Sequence, residues 1–173
     1  MLSALLGTAA FYGDRALFDR FLEEFAKTKD KQVRRALLGA MNSFRDAASI
    51  DAGMKALLNG SIPFIEGEGL LFNGQQSAAT RMQPLRFVEA NWDQIVAKMP
   101  TGGGFDFGSV LPNVGASYCD VKSRDALKTF FQPRVDKFTG APRALQQVLE
   151  SIDLCIANRA AQTPSVAAFL EKY

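Results

Sequence analysis

Apolar residues recur at spacings of three and four along most of the chain, a pattern typical of amphipathic helices. Between residues 14 and 28 these apolar positions are Leu17, Phe18, Phe21, Leu22 and Phe25. Similar stripes predict helices over about 31–43 and about 47–59, the second closed by Asn59-Gly60. Long alternating β patterns are missing throughout. The sequence therefore predicts an all-α protein.

The second half of the chain has the same helical spacing. One continuous helix is predicted with Pro84 in its first turn, and its apolar positions are Leu85, Val88, Trp92, Ile95 and Val96. Two later stripes are Ala126, Leu127, Phe130 and Phe131, and then Leu145, Val148, Leu149, Ile152, Ile156 and Ala157. A last short helix is predicted after Thr163-Pro164, because threonine is a good N-cap and proline a good first residue.

A short sequence repeat marks three of the predicted helix junctions. Each copy reads aromatic-x-Asp-x4-Asp, and the copies are Tyr12-Gly13-Asp14 with Asp19, Phe44-Arg45-Asp46 with Asp51, and Tyr118-Cys119-Asp120 with Asp125. The first two copies lie about 32 residues apart and the last two about 74, or two steps of about 37, which suits stacked helix pairs. We interpret the aromatic residue as closing one helix into the core and the next Asp as capping the following helix.

These junctions predict the fold class and the domain organisation. We expect an α-α superhelix of stacked antiparallel helix pairs, of the HEAT or armadillo kind, with residues 1–173 as a single helical-repeat domain. An irregular helical bundle is the alternative.

Composition excludes several classes of function. The 173-residue chain has no histidine, so it contains neither a Ser-His-Asp or Cys-His nucleophile system nor an H-E-x-x-H zinc site. Its net charge is only +2 and it has no basic stripe, which argues against nucleic acid as a partner. Phe11-Tyr12-Gly13-Asp14 interrupts the apolar N-terminus well short of a membrane span. We expect no catalytic residue, metal site or cofactor in this chain, and no membrane partner.

Only a few residues are candidates for binding or cross-linking. Arg34, Arg35, Arg81 and Arg86 could place positive charge on the concave face of a helical array, where a peptide carboxylate could bind; solvated surface charge is the alternative. Cys119 and Cys155 are either ordinary buried thiols or one disulfide. Trp92 lies on an apolar stripe, which favours core packing over ligand stacking. The run Thr101-Gly102-Gly103-Gly104 lacks the lysine of a phosphate loop, and we interpret it as a flexible connector.

The stretch from Thr80 to Ile95 resembles a helix in the last domain of the gluzincin zinc aminopeptidases, where the pattern is Phe-Val-x-x-Asn-Trp. That family includes aminopeptidase N, the puromycin-sensitive enzyme and the endoplasmic-reticulum aminopeptidases. Gly39–Asp46 and Val110–Phe131 resemble further helices of the same domain, in the same order. The tail from Gly140 to Leu170 looks like bacterial members. The resemblance covers nearly the whole chain.

This resemblance implies a non-catalytic C-terminal domain. In the family, an upstream domain binds zinc through H-E-x-x-H and a distant glutamate, and it binds the substrate amine through G-x-M-E-N; none of these motifs occurs here. The family's C-terminal domain is a superhelix that covers the active-site cleft and limits peptide access. The implied partners are the upstream catalytic domain of the same polypeptide, which would hold the zinc, and the peptide substrate.

The resemblance also implies that Arg81 faces the cleft, and we expect Arg86 to face the peptide with it. The upstream sequence would determine where the protein is located. The location is either an exported one, periplasmic or secreted, or the cytoplasm. Two alternatives remain from other classes of protein. One is a free-standing helical-repeat scaffold that binds a protein partner. The other is a small enzyme that uses carboxylates alone.

Overall fold

A computed structural model describes residues 1–99 and 106–172, and every regular element in this part of the chain is a helix. The chain divides into two compact units, Met1–Thr101 and Gly102–Tyr173. The predicted all-α fold class is confirmed, with helices packed against each other in each unit as in an α-α superhelix. The single domain over residues 1–173 stays a prediction. The proposed connector Thr101-Gly102-Gly103-Gly104 lies outside the described residues.

In the first unit, most of the helices pack against one helix, Ala47–Asn59. Its α-helices are α1 Leu2–Phe11, α2 Arg15–Lys27, α3 Lys31–Met41, α4 Ala47–Asn59, α5 Phe64–Gly67, α6 Gln83–Ala90 and α7 Trp92–Lys98. A 3-10 helix, Glu68–Phe72, follows α5. Helix α3 packs against α1 and α2, whereas α4 packs against α2, α5, the 3-10 helix, α6 and α7. A Cβ on Gly53 of α4 would lie 3.2 Å from Leu70 Cδ2, so this small residue lets its neighbours approach closely.

The described part of the second unit contains two α-helices and three short 3-10 segments. The α-helices are α8 Val121–Phe131 and α9 Ala141–Leu170, and the 3-10 segments are Phe107–Ser109, Leu111–Gly115 and Val135–Lys137. Helices α8 and α9 pack against each other and against Leu111–Gly115. Among the described residues of both units, no helix is long and apolar enough to cross a membrane.

The capping role of the repeated aspartates is confirmed at all three junctions. Asp14 accepts a hydrogen bond from the Leu17 amide at 3.0 Å, and Asp46 accepts one from the Ser49 amide at 2.9 Å. The carboxylate of Asp120 caps α8 in the same way at 2.9 Å. Each carboxylate satisfies an amide of the first helical turn that has no partner within the helix.

The second aspartate of each repeat forms an ion pair instead. The pairs are Asp19 with Arg15, Asp51 with Lys55, and Asp125 with Arg124. Exposed pairs of this kind contribute little to stability. The repeat therefore marks helix starts through its first aspartate.

The predicted role of the aromatic residue is confirmed at two junctions and wrong at the first. Phe44 and Tyr118 are 1% exposed, but Tyr12 is 82% exposed. A Cβ on Gly13 would lie only 3.0 Å from Phe44 Cε1, so the ring of the second junction already fills the space beside the first. The Phe44 ring also packs edge-on against Phe18, with centroids 5.4 Å apart.

The helix predicted across Trp92 is interrupted. Asn91, with φ −127° and ψ 21°, separates α6 from α7, and its side-chain amide donates to the Phe87 carbonyl at 2.8 Å. Asparagine side chains compete for backbone groups in this way and favour helix ends. The apolar spacing continues through the break, so periodicity alone could not reveal it.

The prediction of a last short helix after Thr163-Pro164 is also wrong, because α9 continues through Pro164 to Leu170. Proline cannot donate to the carbonyl four residues earlier, yet hydroxyl groups on both sides bond to nearby carbonyls. Thr163 Oγ1 donates to the Arg159 carbonyl at 2.6 Å, and Ser165 Oγ donates to the Gln162 carbonyl at 2.9 Å. From Asp153 onward the described residues of α9 are exposed, except for the half-buried Ile156.

We predict that Phe44→Ala lowers the free energy of unfolding by about 3–5 kcal/mol, because it leaves a cavity beside Phe18 and Gly13. The matched control is Tyr12→Ala, which removes the exposed aromatic of the first junction and should change the free energy by less than about 0.5 kcal/mol. Urea unfolding followed by circular dichroism measures both. Equal losses in the two variants would contradict the assignment of Phe44 to the core.

Candidate functional site

The two arginines predicted to face a peptide lie at and just before helix α6. Arg81 is half-buried in the turn before α6, where its backbone amide donates to the Ser77 carbonyl at 2.8 Å. Its Nε atom is buried and has no hydrogen-bond partner among the described residues. Arg86 is exposed on α6, where Leu85 and Phe87 are buried. Neither arginine forms an ion pair with a described residue. Their contact with a peptide stays a prediction.

Arg34 has a structural role. Its Nη2 atom lies 2.9 Å from Glu66 Oε2, and its Nη1 atom donates to the Phe25 carbonyl at 3.0 Å. The guanidinium also stacks on the Phe25 ring, 3.8 Å from the ring centroid. Arg34 thus binds a free carbonyl at the C-terminal end of α2 and links α2 and α3 to Glu66. Its guanidinium is already engaged by these groups.

Arg34 and Arg35 line a groove with a cavity volume of about 790 Å³ in the first unit. The lining also includes Lys29 and Lys31, so the four cations outnumber the single carboxylate of Glu66. Sequence reasoning singled out the arginines and missed the two lysines, which look like ordinary surface charge. The available sequence signal was that four basic residues lie close together between positions 29 and 35. The turn between α2 and α3 brings all four to one groove.

The acidic side chains of the described residues do not form a cluster. Among the described residues there is no group of three or more His, Cys, Asp or Glu side chains that could hold a metal ion. Glu24 bonds to Lys27 at 3.0 Å, and Glu66 bonds to Arg34. Partial burial raises the pKa of Glu68 above its ordinary value. The residues present therefore do not fit the zinc site of the family's catalytic domain, whose ligands include two histidines.

A disulfide joins Cys119 to Cys155, with Cα atoms 5.3 Å apart. It links the segment just before α8 to the middle of α9, closing a loop with a sequence separation of 36 residues. The same two helices are joined by Arg124, whose Nε and Nη2 atoms bond to Asp153 at 3.0 and 2.9 Å. The pKa of Arg124 is raised above its ordinary value, mainly by its hydrogen bond to Asp153.

A second groove runs along α9 beside the disulfide, with a cavity volume of about 900 Å³. Leu154, Val166 and Leu170 line it and are more than half exposed. This apolar face was not predicted, because the sequence indicated that the helix would end before Pro164. It exists because α9 continues past the part of the second unit on which it packs.

Comparison with models of protein families matches residues 1–154 to the ERAP1-like C-terminal domain. The match includes α1 to α8, both candidate arginines and the first part of α9. Cys155 and the exposed remainder of α9 lie outside it. Comparison with curated proteins finds no match.

We predict that removing the disulfide lowers the free energy of unfolding of the second unit by about 4 kcal/mol, the loop-closure entropy expected for a loop of this length. The variant is Cys119→Ser with Cys155→Ser, measured by thermal unfolding with and without reductant. Reductant should destabilise the unchanged chain and leave the double variant unaffected. A native chain that shows no response to complete reduction would rule out this contribution.

Proposed function

The chain belongs to the ERAP1-like C-terminal domain family, and from this we propose that it covers the active-site cleft of a zinc-dependent aminopeptidase and limits which peptides enter. The observation that carries this proposal is the family match over residues 1–154, since it makes the chain a domain of an aminopeptidase. The stretch from Thr80 to Ile95 and the capped helix junctions lie inside the matched region.

We assign zinc binding to the upstream domain and peptide contact to this chain, because of the residues that this chain contains. Peptide hydrolysis by the parent enzyme needs a zinc ion, and this chain has no histidine to bind one. The zinc would be held by the upstream catalytic domain of the same polypeptide. This chain would contribute the surface that restricts the volume of the cleft and contacts the peptide away from the reacting bond. Interactions of that kind select substrates through their binding energy.

Arg81 and Arg86 are the residues that we assign to peptide contact. A guanidinium can bind a carboxylate through two parallel hydrogen bonds, and such charge-assisted bonds are stronger than neutral ones. Burial of the Arg81 Nε atom leaves the other end of its guanidinium to bind a ligand. Neither arginine has a competing acidic partner among the described residues. The ligand group proposed is the C-terminal carboxylate of a peptide.

The disulfide bears on the compartment of the parent enzyme. Disulfides persist in oxidising compartments and are rare in the cytosol. Cys119–Cys155 therefore favours the periplasmic or secreted location over the cytoplasmic one.

The first test compares the parent polypeptide with a version that lacks this domain, using peptides of increasing length and a chromogenic amino-acid amide. Without the domain, long peptides should be hydrolysed relatively faster, because the cleft is no longer covered. The isolated chain should hydrolyse no amino-acid amide, with or without added zinc. An unchanged length preference would contradict the proposed covering role. A native gene product that begins at Met1 and has no catalytic domain would favour the scaffold alternative.

The second test concerns the arginines. In the parent enzyme, Arg81→Ala and Arg86→Ala should each raise KM about 10-fold for peptides with a free C-terminus, which corresponds to one lost charge-assisted hydrogen bond. C-terminally amidated peptides should show little change, since they lack the carboxylate. Arg20→Ala, at an exposed position in α2, is the matched control and should behave as the unchanged enzyme. Equal effects on free and amidated peptides would contradict recognition of the carboxylate.

A further inference from the structure

The segment from Asn73 to Gln83 packs tightly against the first turns of α4. Gln83 Nε2 donates a hydrogen bond to the Ala47 carbonyl at 3.1 Å. A Cβ on Gly74 would lie 3.1 Å from Ile50 Cδ1, so a side chain there would force Ile50 to shift. The segment and the start of α4 therefore form one close contact inside the first unit.

Four buried polar atoms without a hydrogen-bond partner among the described residues belong to residues of this segment and of the start of α4. Ser49 is 0% exposed, and its Oγ atom has no partner. Asp46 Oδ2 lies on the same turn of α4 and is also buried and unbonded. Gln83 Oε1 is also buried and unbonded, and it belongs to the same side-chain amide whose Nε2 donates to the Ala47 carbonyl. Arg81 Nε, two residues before Gln83, is the fourth such atom. Buried polar atoms in folded proteins are nearly always hydrogen-bonded to protein or to ordered water.

Reversing the Gln83 amide or the Asp46 carboxylate would not satisfy the unbonded oxygens of these two side chains. Reversing the Gln83 amide would place its oxygen against the Ala47 carbonyl oxygen, and two acceptors would then face each other. The other oxygen of Asp46, Oδ1, is already bonded to the Ser49 amide at 2.9 Å as the N-cap of α4. The unbonded oxygens are thus a consequence of two hydrogen bonds that the fold requires.

The chemistry of the four atoms indicates which ligand they would bind. Asp46 Oδ2 and Gln83 Oε1 can only accept, Arg81 Nε can only donate, and Ser49 Oγ can do both. A metal cation would be opposed by the guanidinium of Arg81, and an anion by the carboxylate of Asp46. Water is neutral, donates two hydrogen bonds and accepts two, and commonly bridges buried polar groups of this kind.

We propose that this contact contains an ordered internal water site that bridges Asp46 Oδ2, Ser49 Oγ and Gln83 Oε1, with Arg81 Nε as a further donor. The water links the first turn of α4 to the segment that leads into α6. It also restrains the half-buried side chain of Arg81, whatever that arginine binds at its outer end. This site does not rest on the proposed peptidase role.

Ser49→Ala tests the proposal, because the proposal predicts whether this variant lowers or raises the melting temperature. If water bridges the three oxygens, the variant removes one of its partners and the melting temperature falls. If the contact is dry, the variant removes an unsatisfied buried hydroxyl, and the melting temperature stays the same or rises. Ser123→Ala is the matched control, because Ser123 holds the same position after the capping Asp120 of α8 and retains 9% exposure. Its hydroxyl is not among the buried unbonded atoms, so we expect a smaller change.

A high-resolution crystal structure of the unchanged chain gives a second readout that does not depend on any variant folding. The expected result is one or more ordered waters within hydrogen-bonding distance of Asp46 Oδ2, Ser49 Oγ and Gln83 Oε1. A dry contact, or a metal ion or anion in place of water, would overturn the proposal. A rise in the melting temperature of Ser49→Ala would overturn it independently.

Discussion

The constraint on which the first unit depends is that its helices are too short to be stable alone. Every α-helix described in this unit spans 13 residues or fewer, and isolated helices of that length are marginal in water. Each must therefore bury an apolar stripe against a neighbour and must start at a defined residue. The repeated aspartates meet the second requirement and the phenylalanine and leucine stripes meet the first. Where both coincide, as at Phe44 and Asp46, the junction is buried and capped at once.

The elements that the sequence predicted well are those in which periodicity and capping agree. Helix α4 follows a capping aspartate and ends at Gly60, whose φ of 82° suits glycine. The errors arose where one local signal outweighed another. Thr163-Pro164 has the residues of a helix start, but the helix passes through it in an exposed region, where hydroxyl groups and solvent can bond the carbonyls near the proline. Asn91 has the opposite effect, because one side-chain hydrogen bond ends a helix that the apolar spacing would continue.

The candidate site was less predictable, since it depends on contacts between residues far apart in sequence. Arg34 looked like Arg35 in the sequence, yet the structure pairs it with Glu66, 32 residues away, and stacks it on Phe25. The two cysteines allowed either free thiols or a bond, and only the packing of α8 beside α9 brings them within reach. Among the arginines of the described residues, Arg81 is the one whose Nε is buried without a hydrogen-bond partner, which no spacing rule indicates.

In the role that we propose for it, this domain influences the reaction of the parent enzyme through the position and charge of its side chains. Its arginines divide into those already engaged and those that are not: Arg34 and Arg124 hold helices together through carboxylates, while Arg81 and Arg86 have no such partner among the described residues. Unpaired guanidinium groups cost little where water reaches them, but a buried Nε without a partner is costly. The internal water that we propose between the segment before α6 and the start of α4 would supply a partner for this group. The same physical argument thus connects the hydration of the interior to the orientation of the residue that would face a peptide.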